Sequence, residues 1–141
     1  MSTTVKKEVI SWVKTILLAA VLAGLVNSFL IVNAEVPTGS MENTIMTGDR
    51  VIGSRLSYRF EDPKRGDIAI FRFPDNEKIY YVKRIIGLPG ETVDIVDGKV
   101  YINGSDEPLD EPYIREPMIP EAPMHFEVPE NSYFMMGDNR N

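Results

Sequence analysis

The N-terminal part of the chain is dominated by one long apolar segment. Residues 15–32, TILLAAVLAGLVNSFLIV, contain only Thr15 and the neighbouring pair Asn27 and Ser28 as polar members. A helix of this length, rising about 1.5 Å per residue, reaches about 27 Å, close to the hydrocarbon thickness of a bilayer. The pattern therefore predicts a transmembrane helix over residues 15–33.

Two other interpretations of this segment stay open. A buried helix of a soluble core usually keeps a polar stripe, which is missing here. A cleaved secretory signal is the second alternative, because lysines come first and Val32-Asn33-Ala34 has the small-x-small pattern of a cleavage site. Against it, the apolar run is long for a signal and contains Asn27.

Basic residues gather on one side of the predicted span. Lys6, Lys7 and Lys14 precede it against the single acid Glu8. Positively charged flanks stay in the cytoplasm, so residues 1–14 are predicted to be cytoplasmic and residues 34–141 extracytoplasmic, in a single-pass protein of the cell membrane.

Beyond the span the pattern changes to short runs rich in β-branched and aromatic residues. These runs predict strands at residues 67–73, 78–87, 92–96 and 99–102, with another entering a glycine turn near residue 137. Asp97-Gly98 favours a tight hairpin. Residues 108–129 carry six prolines and predict an extended surface excursion. No convincing helical period follows Val32, so residues 34–141 predict a mainly β domain.

The composition limits which nucleophiles and metal sites the chain can contain. The chain has a net charge of −6, no cysteine and one histidine, His125. Disulfides, thiolate nucleophiles, cysteine metal sites and histidine clusters are therefore excluded, and we expect no metal and no cofactor. An acidic domain is a poor surface for phosphates, which argues against nucleic-acid binding.

Ser40 follows the apolar segment closely and is a candidate nucleophile, which needs an adjacent general base. His125 lies in the proline-rich segment without a pattern typical of a triad. Lys83 is the better candidate, because strand alternation places it between Tyr81 and Ile85, where loss of solvation favours the neutral amine. A solvated surface lysine is the ordinary alternative, and the residues alone leave this choice open.

Four motifs in order carry a family resemblance. They are TGSMENT at 38–44, RGDIAIF at 65–71, YYVKRIIGLPGE at 80–91 and GDNRN at 137–141, all after one anchor. This series resembles the conserved segments of type I signal peptidases (leader peptidases), most of all the small single-anchor form typical of Gram-positive bacteria. The resemblance implies a signal-peptidase-like β domain, and a membrane-bound serine endopeptidase that removes signal peptides from exported preproteins after small residues at −1 and −3.

The resemblance also implies roles for particular residues. Ser40 would be the nucleophile and Lys83 the general base of a Ser/Lys dyad, while the Thr38 hydroxyl and the Ser40 N–H would form the oxyanion hole. The substrate would lie along an extended strand at residues 35–39 and along the strand of Lys83. The implied substrate-binding residues are Val36, Pro37, Met41, Tyr81 and Val82. The implied framework residues of the active site are Gly137, Asp138, Asn139 and Arg140.

Two departures from the family pattern matter. Asn43 stands where the family usually has proline, which predicts a looser loop behind Ser40. The family's last motif continues past Gly-Asp-Asn-Arg, so we expect that the chain is truncated at its C-terminus and lacks closing strands.

Two alternative functions remain. One is an autocleaving Ser/Lys protease of the repressor type, against which the membrane span and the lack of a helical DNA-binding domain argue. The other is a non-catalytic, membrane-tethered β module that binds exported chains, which the missing end favours.

Overall fold

The fold is taken from a computed structural model that describes residues 3–141. Within this range the chain forms a long N-terminal helix, a one-turn helix and eight strands. The helices are α1 (Thr3–Phe29) and α2 (Ser57–Phe60). The strands are β1 (Ile31–Glu35), β2 (Arg50–Ser54), β3 (Ile68–Phe73), β4 (Asn76–Gly87), β5 (Thr92–Val96), β6 (Lys99–Ile102), β7 (Met124–Glu127) and β8 (Phe134–Met136). The prediction of a mainly β domain after one N-terminal apolar helix is confirmed.

Helix α1 is long and apolar enough over Val5–Phe29 to cross a membrane. Its side chains from residue 5 onward are exposed, as expected for a helix that packs against little of its own chain. The helix begins at Thr3, before the predicted span. It ends at Phe29, earlier than predicted, because residues 31–33 pair as β1 instead of continuing the helix. The division into cytoplasmic, membrane and extracytoplasmic parts at residues 14 and 33 stays a prediction.

The strands pair in three small antiparallel sheets, ordered β1-β2, β3-β4-β8 and β6-β5-β7. Strand β4 is the longest, with 12 residues, and β3 lies along one of its edges. On the other edge, β8 pairs with Arg84, Ile85 and Gly87. Among the described residues, no strand pairs with that edge of β4 at residues 80–83.

Several strands lie where the sequence pattern predicts them. Strands β5 and β6 have the predicted bounds, and β3 and β4 differ from prediction by one or two residues. Asp97 and Gly98 join β5 to β6 with φ values of +50° and +71°. Two positive φ angles in succession are typical of the tight turn that matches hairpin twist.

Two predicted segments need correction. The strand expected at residues 35–39 does not extend beyond Glu35, because β1 ends at Glu35 and a short 3-10 helix follows at Gly39–Met41. The proline-rich segment is not only a surface excursion, because β7 lies within it and pairs with β5. The four residues of β7 contain no proline and alternate in exposure, so nothing prevents the pairing.

Most of the buried apolar side chains form two clusters. The larger one fills the space between the β4 and β5 sheets and consists of Ile86, Val93, Ile95, Val100 and Val128. The smaller one lies under the 3-10 helix and consists of Val36, Met41 and Val82. The smaller cluster therefore holds the segment after β1 against β4, which positions the site described next.

Candidate active site

Ser40 lies at the centre of the 3-10 helix Gly39–Met41. The next side chain, Met41, is completely buried and packs with Val36 and Val82. Burying such a large apolar side chain contributes about 1.5–3 kcal/mol to stability, which fixes the turn on the domain. The Ser40 side chain is consequently left half-buried at the wall of a cavity.

The backbone around Ser40 is held from the far end of the chain. The Asn139 N–H donates to the Ser40 carbonyl at 3.1 Å, and the Asn139 side-chain amide donates to the Gly39 carbonyl, also at 3.1 Å. These bonds join residues about a hundred positions apart, so the segment after β8 determines where the Ser40 backbone lies.

Thr38 and Ser40 present their hydroxyl groups to the same space. The Thr38 hydroxyl donates a hydrogen bond to Ser40 Oγ over 3.3 Å. Both residues line one cavity, so a reacting group that contacts Ser40 Oγ also comes within reach of the Thr38 hydroxyl. A hydroxyl in this place can donate a hydrogen bond to such a group.

Lys83 approaches Ser40 from β4. A Cβ built on Gly137 would stand 2.2 Å from the Ser40 carbonyl oxygen and 3.3 Å from Lys83 Nζ, so both residues converge on this glycine. Burial lowers the pKa of the Lys83 ammonium from its ordinary value, and the nearby Asp138 charge partly opposes the shift. Lys83 is therefore closer to a neutral amine than an exposed lysine is.

Ser40 and Lys83 share a cavity of about 160 Å³ between the segment after β1 and β4. Its lining residues are Val36, Pro37, Thr38, Ser40, Tyr80, Tyr81, Val82 and Lys83. Met41, expected to bind substrate, does not line the cavity, because it is buried beneath it. Tyr80 lines the cavity and was not predicted, although its place next to Tyr81 was a usable signal. A larger cleft of about 530 Å³, between β2 and β3, contains neither Ser40 nor Lys83.

A buried ion pair supports the strand that carries Lys83. Arg84 binds Asp138 through two hydrogen bonds of 2.8 and 2.6 Å, with side chains 11% and 0% exposed. The Thr44 hydroxyl donates to the same carboxylate. The Arg84 guanidinium also lies 3.9 Å from the centroid of the Tyr113 ring. The Asp138 carboxylate thus joins strand β4, the turn after β8 and the loop behind Ser40.

A second buried pair involves Arg140. Its guanidinium binds Glu111 at 2.5 and 3.2 Å, and its Nε donates to the Gly137 carbonyl at 2.7 Å. Tyr113 donates to Glu111 at 2.8 Å, and burial raises the pKa of its phenol. Sequence reasoning named Arg140 but missed Glu111 and Tyr113, because no local pattern joins residues 29 positions apart.

His125 lies away from this cavity. It is exposed on β7, where its Nδ1 is 2.6 Å from Asp94 of β5. The hydrogen bond with Asp94 raises the pKa of His125. It does not line the cavity that contains Ser40.

Comparison with known proteins places the chain in a family. The family model described as signal peptidase, peptidase S26 matches residues 9–141. Probable signal peptidase I-2 of Synechocystis sp. is 41% identical over 134 residues, which are 91% of this chain and 60% of that protein. Signal peptidase I of Bacillus licheniformis is 38% identical over 148 residues, which are 99% of this chain and 78% of that protein. A solved signal peptidase I from Enterococcus faecalis is 36% identical and matches with a TM-score of 0.48, covering 57% of this chain and 80% of that one.

The chain therefore belongs to the signal peptidase family, peptidase S26. It spans 60% of the length of the Synechocystis protein.

Proposed function

We propose that this chain is a membrane-bound serine endopeptidase that cleaves N-terminal signal peptides from exported preproteins. The observation that carries the proposal is the meeting of Ser40, Lys83 and Thr38 in one cavity beside an unpaired strand edge. Membership of the signal peptidase family supports the same activity.

In this proposal Lys83 is the general base. Its neutral amine accepts the Ser40 proton while Ser40 Oγ attacks the scissile carbonyl carbon. The lowered pKa of Lys83 supports this role, since a base must be unprotonated to act. The protonated Lys83 then gives the proton to the leaving amine, and water hydrolyses the acyl ester to restore Ser40.

The developing oxyanion is stabilised by the Thr38 hydroxyl together with the Ser40 backbone N–H. The hydrogen bond between Thr38 and Ser40 supports this assignment, because it puts the donor beside the nucleophile. Removal of one such donor typically costs about 10²- to 10³-fold in kcat. Asp138, Asn139 and Arg140 act as a framework that keeps these groups in place.

The substrate adds as an extended strand to the free edge of β4. Residues 80–83 line the cavity and have no strand partner on that edge within the described chain, so main-chain hydrogen bonds to a peptide are available there. A cavity of about 160 Å³ lined by Val36, Pro37, Tyr81 and Val82 favours small side chains at −1 and −3.

Helix α1 holds this site at the membrane surface, where cleavage sites of signal peptides emerge. Lys6, Lys7 and Lys14 keep its N-terminal end in the cytoplasm, and the domain lies on the extracytoplasmic side. Signal peptides of exported preproteins and the lipid bilayer are the partners in this proposal, with no nucleic acid and no metal.

The test is cleavage of a preprotein with an Ala-x-Ala site by the chain in liposomes. Ser40→Ala and Lys83→Ala should each abolish cleavage, because each removes an indispensable group. Ser132→Ala and Lys99→Ala are matched controls, since both residues are exposed. If the chain binds the preprotein without cleaving it, and neither substitution alters binding, the non-catalytic module replaces the peptidase proposal.

A further inference from the structure

The proline-rich segment between β6 and β7 places a tyrosine directly against a buried arginine. The Arg84 guanidinium carbon lies 3.9 Å from the centroid of the Tyr113 ring. A guanidinium at this distance is attracted by the negative face of the aromatic ring, and the attraction is stronger where water is excluded. The Arg84 side chain is only 11% exposed, so Tyr113 takes the place of water beside a buried charge.

Tyr113 is also held at its hydroxyl end. The hydroxyl donates to Glu111 at 2.8 Å, and the Glu111 carboxylate in turn binds the Arg140 guanidinium. Burial raises the pKa of the Tyr113 phenol, so the ring stays uncharged at neutral and mildly alkaline pH. Movement of the ring would break the contact with Arg84 or the bond to Glu111. Tyr113 therefore has a fixed place beside Arg84.

Arg84 and Lys83 compete for one carboxylate. Asp138 is completely buried and accepts two hydrogen bonds from Arg84 and one from Thr44. Burial lowers the pKa of the Lys83 ammonium, and the Asp138 charge opposes this shift. An amine that forms an ion pair with a carboxylate stays protonated and cannot accept a proton. The proposed base therefore depends on Asp138 remaining paired with Arg84.

Within the described chain, the neighbours that other elements present to Lys83 are otherwise uncharged. They are Ser40 after β1, Ala69 on β3 and Gly137 after β8. Beside Tyr113, the charges of Glu111 and Arg140 offset each other in a buried pair. A change in the pairing of Asp138 therefore acts on Lys83 without another charge to compensate for it.

We propose that Tyr113 is a positioning residue for the peptidase reaction, because its ring holds the Arg84 guanidinium on Asp138. The Lys83 amine then stays unpaired and free to act as the base. The inference rests on the proposed function. Tyr113 does not line the cavity that contains Ser40, so it acts through Arg84. Without the ring, water reaches the guanidinium and Arg84 leaves Asp138 more often. The freed carboxylate then stabilises the protonated form of Lys83.

The first test is the pH–rate profile of kcat/KM for preprotein cleavage by the full chain in liposomes. Tyr113→Leu removes the ring and keeps an apolar side chain. We expect the midpoint of its profile at higher pH than that of the unchanged chain, and kcat/KM about tenfold lower at neutral pH, because an unpaired carboxylate favours the ammonium form. The plateau at high pH should be almost unchanged. Damage to the fold would instead lower the plateau and leave the midpoint in place.

Two further variants separate the ring from other contributions. Tyr113→Phe keeps the ring and loses the bond to Glu111, so its midpoint should equal that of the unchanged chain. Tyr101→Leu removes a half-buried tyrosine on β6, away from the cavity, and should also leave the midpoint in place. If Tyr113→Leu does not move the midpoint, or Tyr113→Phe moves it as far, the ring does not position Arg84 and the inference is wrong.

A second measurement follows Lys83 directly and does not depend on cleavage. NMR of the chain isotope-labelled at lysine Cε, in detergent micelles, gives the titration of each lysine, and Lys83→Arg identifies the Lys83 signal. This signal should titrate at higher pH in Tyr113→Leu than in the unchanged chain. Tyr113→Met takes the place of Tyr113→Leu if the latter does not fold. If the unchanged chain cleaves no preprotein, the peptidase proposal is refuted, and the titration still decides whether Tyr113 acts on Lys83. If cleavage occurs but the Lys83 titration is unshifted, only the role of Tyr113 is refuted.

Discussion

At the scale of single residues, Gly137 is the point where the parts of the site come closest. Its missing side chain leaves room for the Ser40 carbonyl and the Lys83 amine, and its own carbonyl accepts a hydrogen bond from Arg140. The position requires glycine for space, because the 2.2 Å approach concerns backbone that cannot give way easily.

We predict that Gly137→Ala separates Ser40 from Lys83. The added Cβ must displace the Ser40 carbonyl, and a shift of about 1 Å at a catalytic group costs about 10²-fold in rate. The measurement is kcat/KM for preprotein cleavage, together with thermal unfolding. Gly24→Ala is the control, because nothing lies within 4 Å of a Cβ at Gly24. Unchanged kcat/KM for Gly137→Ala would contradict the convergence of these residues.

Lys83 sets the expected pH dependence. Burial lowers its pKa below the ordinary value of 10.5. In the proposed function the neutral amine of Lys83 is the active base. We therefore predict that kcat/KM is low at acidic pH and rises through a midpoint below 10.5, measured as a pH–rate profile.

Lys83→Arg should abolish this activity over the whole profile, since a guanidinium stays protonated. Lys99→Arg, at an exposed position, should leave the profile unchanged. A profile that is flat, or that falls as the pH rises, would exclude Lys83 as the base.

At the scale of elements, the proline-rich segment contacts residues next to the candidate active site. Its residue Glu111 binds Arg140, which follows β8, and its residue Tyr113 contacts Arg84, the neighbour of Lys83 on β4. The segment is therefore part of the framework, and not only a connection between β6 and β7.

We predict that Glu111→Gln strongly destabilises the domain. The Arg140 and Glu111 side chains are 2% and 7% exposed, and removal of one charge from a buried pair costs about 3–5 kcal/mol. Urea unfolding measures this change. Glu61→Gln removes an ion pair whose side chains are both 71% exposed, and it should change stability little. If the two substitutions lower the free energy of unfolding equally, the buried pair contributes no more to stability than the exposed pair.

The elements also show what sequence patterns can predict. Strand β5 alternates in burial, and the Asp97-Gly98 turn separates it from β6, so local pattern alone determined the bounds of both strands. Strand β1 was missed because its Ile31 and Val32 extend the apolar run of the helix, and β7 because prolines surround it. The pairs of Arg84 with Asp138 and of Arg140 with Glu111 lie 54 and 29 positions apart, and only tertiary structure brings them together.

At the scale of the whole molecule, the helix and the domain meet over a small area. The contacts include a 2.8 Å bond from the Arg55 N–H to the Leu30 carbonyl and a 3.3 Å bond from the Arg55 side chain to the Ser28 carbonyl. All side chains of α1 from residue 5 onward are exposed, so the core of the domain does not depend on them. The helix consequently contributes little to the stability of the domain, and in the proposed function its contribution is position at the membrane.

We predict that deletion of residues 1–29 separates these two contributions. Cleavage of a short soluble peptide should stay unchanged, because Ser40, Lys83 and the framework are all retained. Cleavage of a preprotein in liposomes should fall by about 10²-fold, because the enzyme and substrate no longer share the same surface. Replacement of α1 by an unrelated apolar helix of equal length should restore the rate of preprotein cleavage in liposomes. If the cleavage rates of both substrates fall equally, α1 supports the fold of the site. The few contacts at Arg55 then stabilise the site, and the proposed separation of the two contributions is wrong.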